Sequence, residues 1–316
     1  MRRALEFRAV VFCGLVVAGM TLLALVILEA QPNQFQFIVG ATDASGAPVT
    51  DLKFSEVVMT EKGMPATILK VEPYKVPVKL TLAVDNGPDS REALSHYRSG
   101  LTGLVEALPS DVEVTLITTA PQPRMVVRPT TNREQILRGV SGFAPEDERP
   151  RFTDTLVEYS QRLERELRDK KVPDSLPIIV MVSTTANEVA SYQVREIEKA
   201  LNFLATRKAR LMVTMTSTKS GDVSAVADLN TNRQAMIAIP ATKATRGRYE
   251  AIAISNRLAT LLPEFGREIA ALHSKHVNQF RVTVERPNGA TGPFQNLQVE
   301  LSRPGLTGAV SSDGLP

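Results

Sequence analysis

After an unbroken apolar run near its start, the chain settles into short segments with two apolar periods, one of two residues and one of three to four. These periods mark strands and amphipathic helices respectively. Residues 36–39 alternate, and residues 57–59 and 68–71 are short β-prone runs. Turn chemistry at Asp43, Ser45 and Gly46, at Lys62 and Gly63, and at Pro73 separates them. From about residue 76 the texture changes. Residues 78–84 form a nearly continuous apolar strand that stops at Asp85, Asn86, Gly87, Pro88, Asp89 and Ser90. Leu94, Tyr97, Leu101, Leu104 and Leu108 then fall on one helical face.

Residues 111–119 and 123–128 predict strands, and residues 132–139 a short helix capped by Thr131 or Asn132. Leu156, Tyr159, Leu163 and Leu167 mark a second long helix whose Arg/Glu face reads as solvated. Residues 178–182 are another buried-type strand, ending in an oxygen-rich turn at 183–187. Val194, Ile197, Leu201 and Leu204 mark a helix, residues 211–216 a strand, and Leu258, Leu262, Phe265, Ile269 and Leu272 a final helix. Between them, residues 220–248 read as a looser polar segment. Residues 279–284 and 297–301 return to alternation, and the small, polar stretch from 304 reads as a frayed tail.

Strands apolar on both faces and alternating with helices indicate an α/β fold, a mostly parallel sheet covered on both sides. The pattern predicts this three-layer unit over residues 74–277. Strand-like sequence lies on both sides of it. Residues 34–73 and 278–304 are therefore expected to pair into one small β module, leaving 305–316 as a disordered tail.

Composition narrows the function classes. Lys plus Arg number 37 against 34 Asp plus Glu, with no basic stripe interleaved with aromatics, which argues against nucleic acid as a partner. The absence of Trp argues against a sugar-stacking platform. Arg2, Arg3 and Arg8 precede the apolar run at 9–28, as in a signal peptide or an N-terminal membrane anchor occupying residues 1–30. Ala30 suits the last position before a cleavage site, Leu28 does not, and both readings stay open. Either one makes the remainder extracytoplasmic, periplasmic or secreted, touching membrane only through 9–28 if that run is retained. The single cysteine, Cys13, lies inside the run behind the bulky Phe12, so the exported portion has no disulfide, thiolate metal site or cysteine nucleophile.

In an open α/β sheet ligands gather at the C-terminal ends of the strands, which singles out the turns at 85–90, 152–155 and 183–187. No G-x-S-x-G elbow, G-x-G-x-x-G turn or P-loop occurs. His273 and His276 have no third ligand nearby in sequence and read as surface or packing histidines.

At these turns the chain resembles the von Willebrand factor type A family, specifically its exported, acidobacterial-type bacterial subgroup. The stretch VTDLKFSEVVMTEKGMPATI at 49–68 is similar to the subgroup's V-x-D-L and F-x-V-x-E-D-G-x-P-Q-x-I signature. LTLAVDNGPDS at 80–90 resembles its first strand and metal loop, and TRGRYEAI at 245–252 its T-G-G-R-Y segment. LQVELSRPGLTG at 297–308 resembles its terminal V-x-x-R-P-G-L strand. The resemblance implies a Rossmann-like three-layer domain that binds a protein ligand through Mg²⁺ or another divalent cation, held by D-x-S-x-S, a Thr and a second Asp.

Carried over residue by residue, Asp85 matches the first Asp, and Gly87 stands where the first Ser belongs. Asp89 replaces the second Ser, with Ser90 one place late. Thr153 or Thr155 supplies the Thr, and Thr184 falls where the second Asp is expected. Two departures remove ligands, so a degenerate site with very weak or no metal binding is the expectation. The plainer alternative makes Asp85 and Asp89 loop residues, with Asp89 or Ser90 capping the next helix. The implied role is a protein-interaction or adhesion module rather than an enzyme. The alternatives are a structural envelope protein with a vestigial site and a metal-assisted hydrolase or its accessory subunit. A hydrolase would need Asp89, Asp154 or Glu188 as general base.

Overall fold

A computed structural model of the protein describes residues 34–169, 174–218, 232–286 and 295–311. The apolar run at 9–28 and Cys13 lie outside the described residues. Among those described, no helix is long and apolar enough to cross a membrane.

The central sheet contains β5 (Val78–Val84), β6 (Glu113–Thr118), β7 (Arg124–Thr130), β8 (Leu176–Thr184), β9 (Arg210–Thr216) and β10 (Arg248–Ile252). Their spatial order is β10-β9-β8-β5-β6-β7, all parallel except the antiparallel edge strand β7. This is a doubly wound sheet whose order reverses beside β5. The α-helices among the described residues are α1 (Leu94–Glu106), α2 (Arg133–Gly142), α3 (Phe152–Arg168), α4 (Val194–Thr206), α5 (Arg233–Ala244) and α6 (Leu258–Val277).

The strands' alternation decides which face each helix covers. Leu80, Leu82, Val84, Ile178, Val180 and Val182 pack with α1, α2 and α6 through Tyr97, Leu101, Ile136, Leu262 and Phe265. Ile179, Met181, Leu211, Val213 and Met215 pack on the other face with Phe152, Leu156 and Tyr159 of α3, Leu204 of α4, and Ala238 and Ala241 of α5. Three layers result, as the apolar pattern predicts.

Four strands precede this unit or lie at its entry: β1 (Gln34–Thr42), β2 (Val57–Glu61), β3 (Met64–Pro65) and β4 (Thr67–Tyr74). Three follow it: β11 (Gln279–Glu285), β12 (Leu297–Leu301) and β13 (Thr307–Ser311). The two flanks meet. β11 lies between β1 and β4, antiparallel to both, and β12 pairs antiparallel with β2. Sheets β13-β1-β11-β4 and β12-β2-β3 enclose Phe37, Val39, Met59, Phe280, Val282 and Val284. A buried ion pair joins Glu61 to Arg286, and Arg303 reaches Glu56 at 2.7 Å and Asp51 at 2.9 Å. The terminal R-P-G-L segment is thereby tied to the V-x-D-L segment.

Several expectations need correction. The stretch expected as a frayed tail contains β13, which pairs with the outer edge of β1, Val310 opposite Val39. Its short, glycine-containing sequence gives little alternation, and the strand is stabilised by a ready-made edge rather than by its own pattern. The looser segment at 220–248 holds α5, capped by Asn232, whose side chain accepts from the Ala235 N–H at 2.8 Å. The buried face of α5 is built from Ala235, Ala238 and Ala241 rather than Leu, and Pro240 interrupts it, so no large apolar stripe marks it. Of the two readings for His273 and His276, surface or packing, the packing one holds, since both are buried. His273 accepts the Val78 N–H at Nδ1 (3.2 Å) and meets Asp111 at Nε2 (3.0 Å), so it fastens α6 to the start of β5.

Gly247 controls the approach of β10 to β9. A Cβ there would lie 1.8 Å from the Leu211 carbonyl oxygen, a backbone atom that cannot swing aside. Gly247→Ala should therefore cost about 3 kcal/mol or more, read as a lower urea midpoint at unchanged slope.

Candidate functional site

The carboxyl ends of β5 and β8 meet where the strand order reverses, the position at which doubly wound sheets take up ligands. Asp85 follows β5 directly, and its N–H donates to the Val182 carbonyl at 2.8 Å, continuing the sheet by one residue. Only 2% of Asp85 is exposed. One carboxylate oxygen accepts the Gly87 N–H at 2.8 Å and the other accepts the Thr184 hydroxyl at 3.0 Å. Burial pushes the Asp85 carboxyl up to about 6, against the lowering effect of these bonds.

Asn86 closes the turn from above. Its side chain donates to the Ala144 carbonyl at 2.9 Å and accepts the Ala120 N–H at 3.0 Å, while its carbonyl accepts the Glu146 N–H at 2.7 Å. Segment 144–150 is thereby drawn down over Gly87. A Cβ at Gly87 would meet Pro150 Cδ at 2.8 Å and the Glu148 carbonyl oxygen at 3.2 Å. The serine oxygen that the resemblance implies at position 87 would have no room, because the loop occupies the space its side chain would need.

The remaining predicted site residues turn away from Asp85. Ser90 donates its hydroxyl to the Gly87 carbonyl at 2.8 Å, and Asp89 is exposed. Neither caps a helix: the turn at Pro88–Ala93 is a 3-10 helix whose N-cap is Gly87, with no side-chain cap bond. This overturns the capping alternative. Thr153 opens α3, and both its N–H (2.8 Å) and its hydroxyl donate to Glu188 in the loop after β8. Burial pushes the Glu188 carboxyl up, while Thr153 and Arg233 pull it down. Thr155 donates to the Arg151 carbonyl one turn back, at 2.6 Å. Asp154 accepts the Ser191 N–H at 2.8 Å and Arg151 Nη1 at 3.0 Å.

Asp85 and Thr184 therefore meet, Thr153 sits on the same rim bonded to Glu188, and Thr155 serves its own helix. Of these oxygen-bearing candidates, only Asp89 faces solvent. The donor set does not fit an octahedral cation. Position 87 cannot carry an oxygen without moving its neighbours, and the Asp85 oxygens already accept protein donors. Among the described residues no group of three or more His, Cys, Asp or Glu side chains is placed to hold a metal.

Sequence reasoning missed Asn86, Tyr97 and Thr216. Thr216 ends β9 directly opposite Thr184 in the strand register. Tyr97 lies wholly buried beneath the turn, where burial and then the Asp85 charge hold its hydroxyl well above the ordinary value. Tyr97 sits on the apolar helical stripe, and Thr216 falls at β9's end, where only the strand pairing shows its neighbour.

No protein-family model and no curated protein matches the sequence. Among solved structures, the chain is similar to the conserved hypothetical protein BatB from Bacteroides thetaiotaomicron at 12% identity, covering 61% of this chain and 98% of that one, with a TM-score of 0.44. It is similar to a von Willebrand factor type A protein from Catenulispora acidiphila at 10% identity, over 90% of this chain and 74% of that one, with a TM-score of 0.47. A mutant of the PilB minor pilin from Streptococcus sanguinis is similar at 8% identity, over 63% of each chain, with a TM-score of 0.44. At these identities nothing about ligands or partners carries over, and the fold class stands on the strand order and layering.

Two outcomes follow from the closed turn. The Asp85 carboxyl titrates near 6 in the folded chain against 3.8 for an ordinary Asp, so folding favours its protonated form. Its contribution to stability is complete below 3.8 and is lost as pH rises through about 6. Asp85→Asn keeps an acceptor for Gly87 and a polar partner for Thr184. It should raise stability at pH 7 by up to about 3 kcal/mol and leave it unchanged near pH 4, as read from denaturation at the two pH values. The double variant Gly87→Ser with Thr184→Asp, which restores the ligand types, should melt lower than the natural chain. Its melting temperature should not respond to Mg²⁺; a magnesium-dependent rise would contradict the closed geometry.

Proposed function

We propose that the chain is an extracytoplasmic protein-interaction module of von Willebrand factor type A kind, without a resident cation and without catalysis. The observation that carries this is the make-up of the rim: the candidate ligand groups other than Asp89 are buried, while several apolar side chains face solvent. Val189 in the loop after β8 is 41% exposed, Val194 at the start of α4 68%, Met236 in the first turn of α5 67%, and Ile254 after β10 51%. In a parallel sheet the loops after the strands and the N-termini of the following helices lie on one edge, so these four belong to the same rim. Exposed apolar side chains gathered beside charged ones are the ordinary make-up of a protein-binding surface. Asp89 is the one member of the predicted contact set that stays available to a partner.

Against catalysis speaks the engagement of two of the three would-be bases, the third, Asp89, lying exposed at the surface. Asp154 is occupied by Arg151 and backbone N–H groups, and Glu188 by Thr153. The acidobacterial-type subgroup is supported by the contact of Arg303 with Glu56 and Asp51, which brings two of its signature segments together. The extracytoplasmic location, periplasmic or secreted, rests on the basic head and apolar run at residues 2–28.

A Val194→Glu, Met236→Glu variant of the full-length chain should fold with an unchanged melting temperature. In crosslinking within the cell envelope it should lose the protein partners that the natural chain retains, whether or not EDTA is present. An unchanged partner set, or capture that EDTA abolishes, would overturn the proposal.

A further inference from the structure

The outer face of α5 is unlike that of α3. α3 turns Glu158, Arg165 and Arg168 to solvent, as a surface helix ordinarily does. α5 turns out Arg233, Met236, Ile239, Pro240 and Lys243, and its sequence contains no acidic residue. These five fall in one sector of the helix, opposite Ala235, Ala238 and Ala241, which are buried against the sheet.

Two features of this face work against the helix itself. Arg233 occupies the first helical position, where the macrodipole disfavours a cation. The buried Glu188 lies 4.0 Å from its Nε, yet the Arg233 side chain remains 58% exposed. Pro240 lies inside the helix and has no N–H, so the Met236 carbonyl lacks its usual helical donor in the middle of the stripe. Lys243 closes the stripe from the last turn. The two cations stand about 15 Å apart along the axis, with only apolar side chains between them on that face.

We propose that this stripe docks an amphipathic helix of a partner protein, whose apolar face is bracketed by acidic side chains about three turns apart. The inference rests on the protein-interaction reading above and specifies the partner's chemistry. A stripe running through Arg233, Met236, Pro240 and Lys243, at spacings of three and four, is the contact geometry of one helix laid along another. Burial of Met236, Ile239 and Pro240 supplies the attraction, and the two cations select acids and fix the register. A second copy of this chain does not fit there through its own α5, since pairing in either direction sets cation against cation.

The test uses the full-length chain and two synthetic helical peptides, read by fluorescence anisotropy at low ionic strength. Both carry leucines at i, i+3 and i+7; one is bracketed by glutamates, the other by lysines at the same positions. The glutamate peptide should bind about tenfold more tightly or better. Lys243→Glu, at an exposed position, should erase that preference in a chain that still melts cooperatively, and Arg233→Gln should reduce it. Equal affinity for the two peptides, binding of neither, or a preference undiminished in Lys243→Glu overturns the inference. Binding of phosphatidylglycerol vesicles in place of either peptide also overturns it and assigns the stripe to a membrane. The protein-interaction reading is judged separately: it fails if Val194→Glu, Met236→Glu leaves the envelope partners unchanged.

Discussion

A carboxylate buried at the carboxyl edge of a parallel sheet must be matched by donors or give up its charge. At Asp85 the matching is internal: the Gly87 N–H and the Thr184 hydroxyl take one oxygen each. Much else depends on that choice. With both oxygens engaged and Asn86 drawing segment 144–150 over Gly87, the crevice between β5 and β8 is filled by the chain itself. The end of the crevice is thereby a polar plug beneath the rim, made of the chain's own groups.

The large elements were legible because their signal is large. Leucine and tyrosine at spacings of three and four announce α1, α3 and α6, and doubly apolar runs announce β5 and β8, since both faces of those strands are buried. What escaped was stabilised by neighbours instead of by its own pattern. α5 buries alanines, and β13 borrows the edge of β1. The candidate site was legible in place but not in detail. Sequence position brings Asp85, Thr153 and Thr184 to one rim. It does not say that a threonine will bond to Glu188 rather than to a cation, because that depends on a loop whose path is set by Asn86.

The two edges of the central sheet differ in chemistry. At the carboxyl edge Asp85, Thr153 and Thr184 are paired and buried, and Val194 and Met236 are offered to solvent. At the amino edge, left-handed turns present lysine and arginine around a cavity. Helix direction accounts for part of this contrast, since α4 and α5, which precede parallel strands, end at the amino edge and favour positive charge there, whereas α2, after the antiparallel β7, runs the other way. The left-handed placement of Lys208 and Arg246 goes beyond it.

The sandwich also fixes how the protein would carry load. β1 and β13 run antiparallel, with Ser311 opposite Ile38 at the middle of β1, while Gln34–Phe37 pair only with β11, so a pull on Gln34 and Ser311 acts first on the β1–β11 bonds. Tension would strip β1 from β11 and then from β13 like a zip, one hydrogen bond at a time. The inserted α/β unit would feel none of it until β1 had parted from both neighbours.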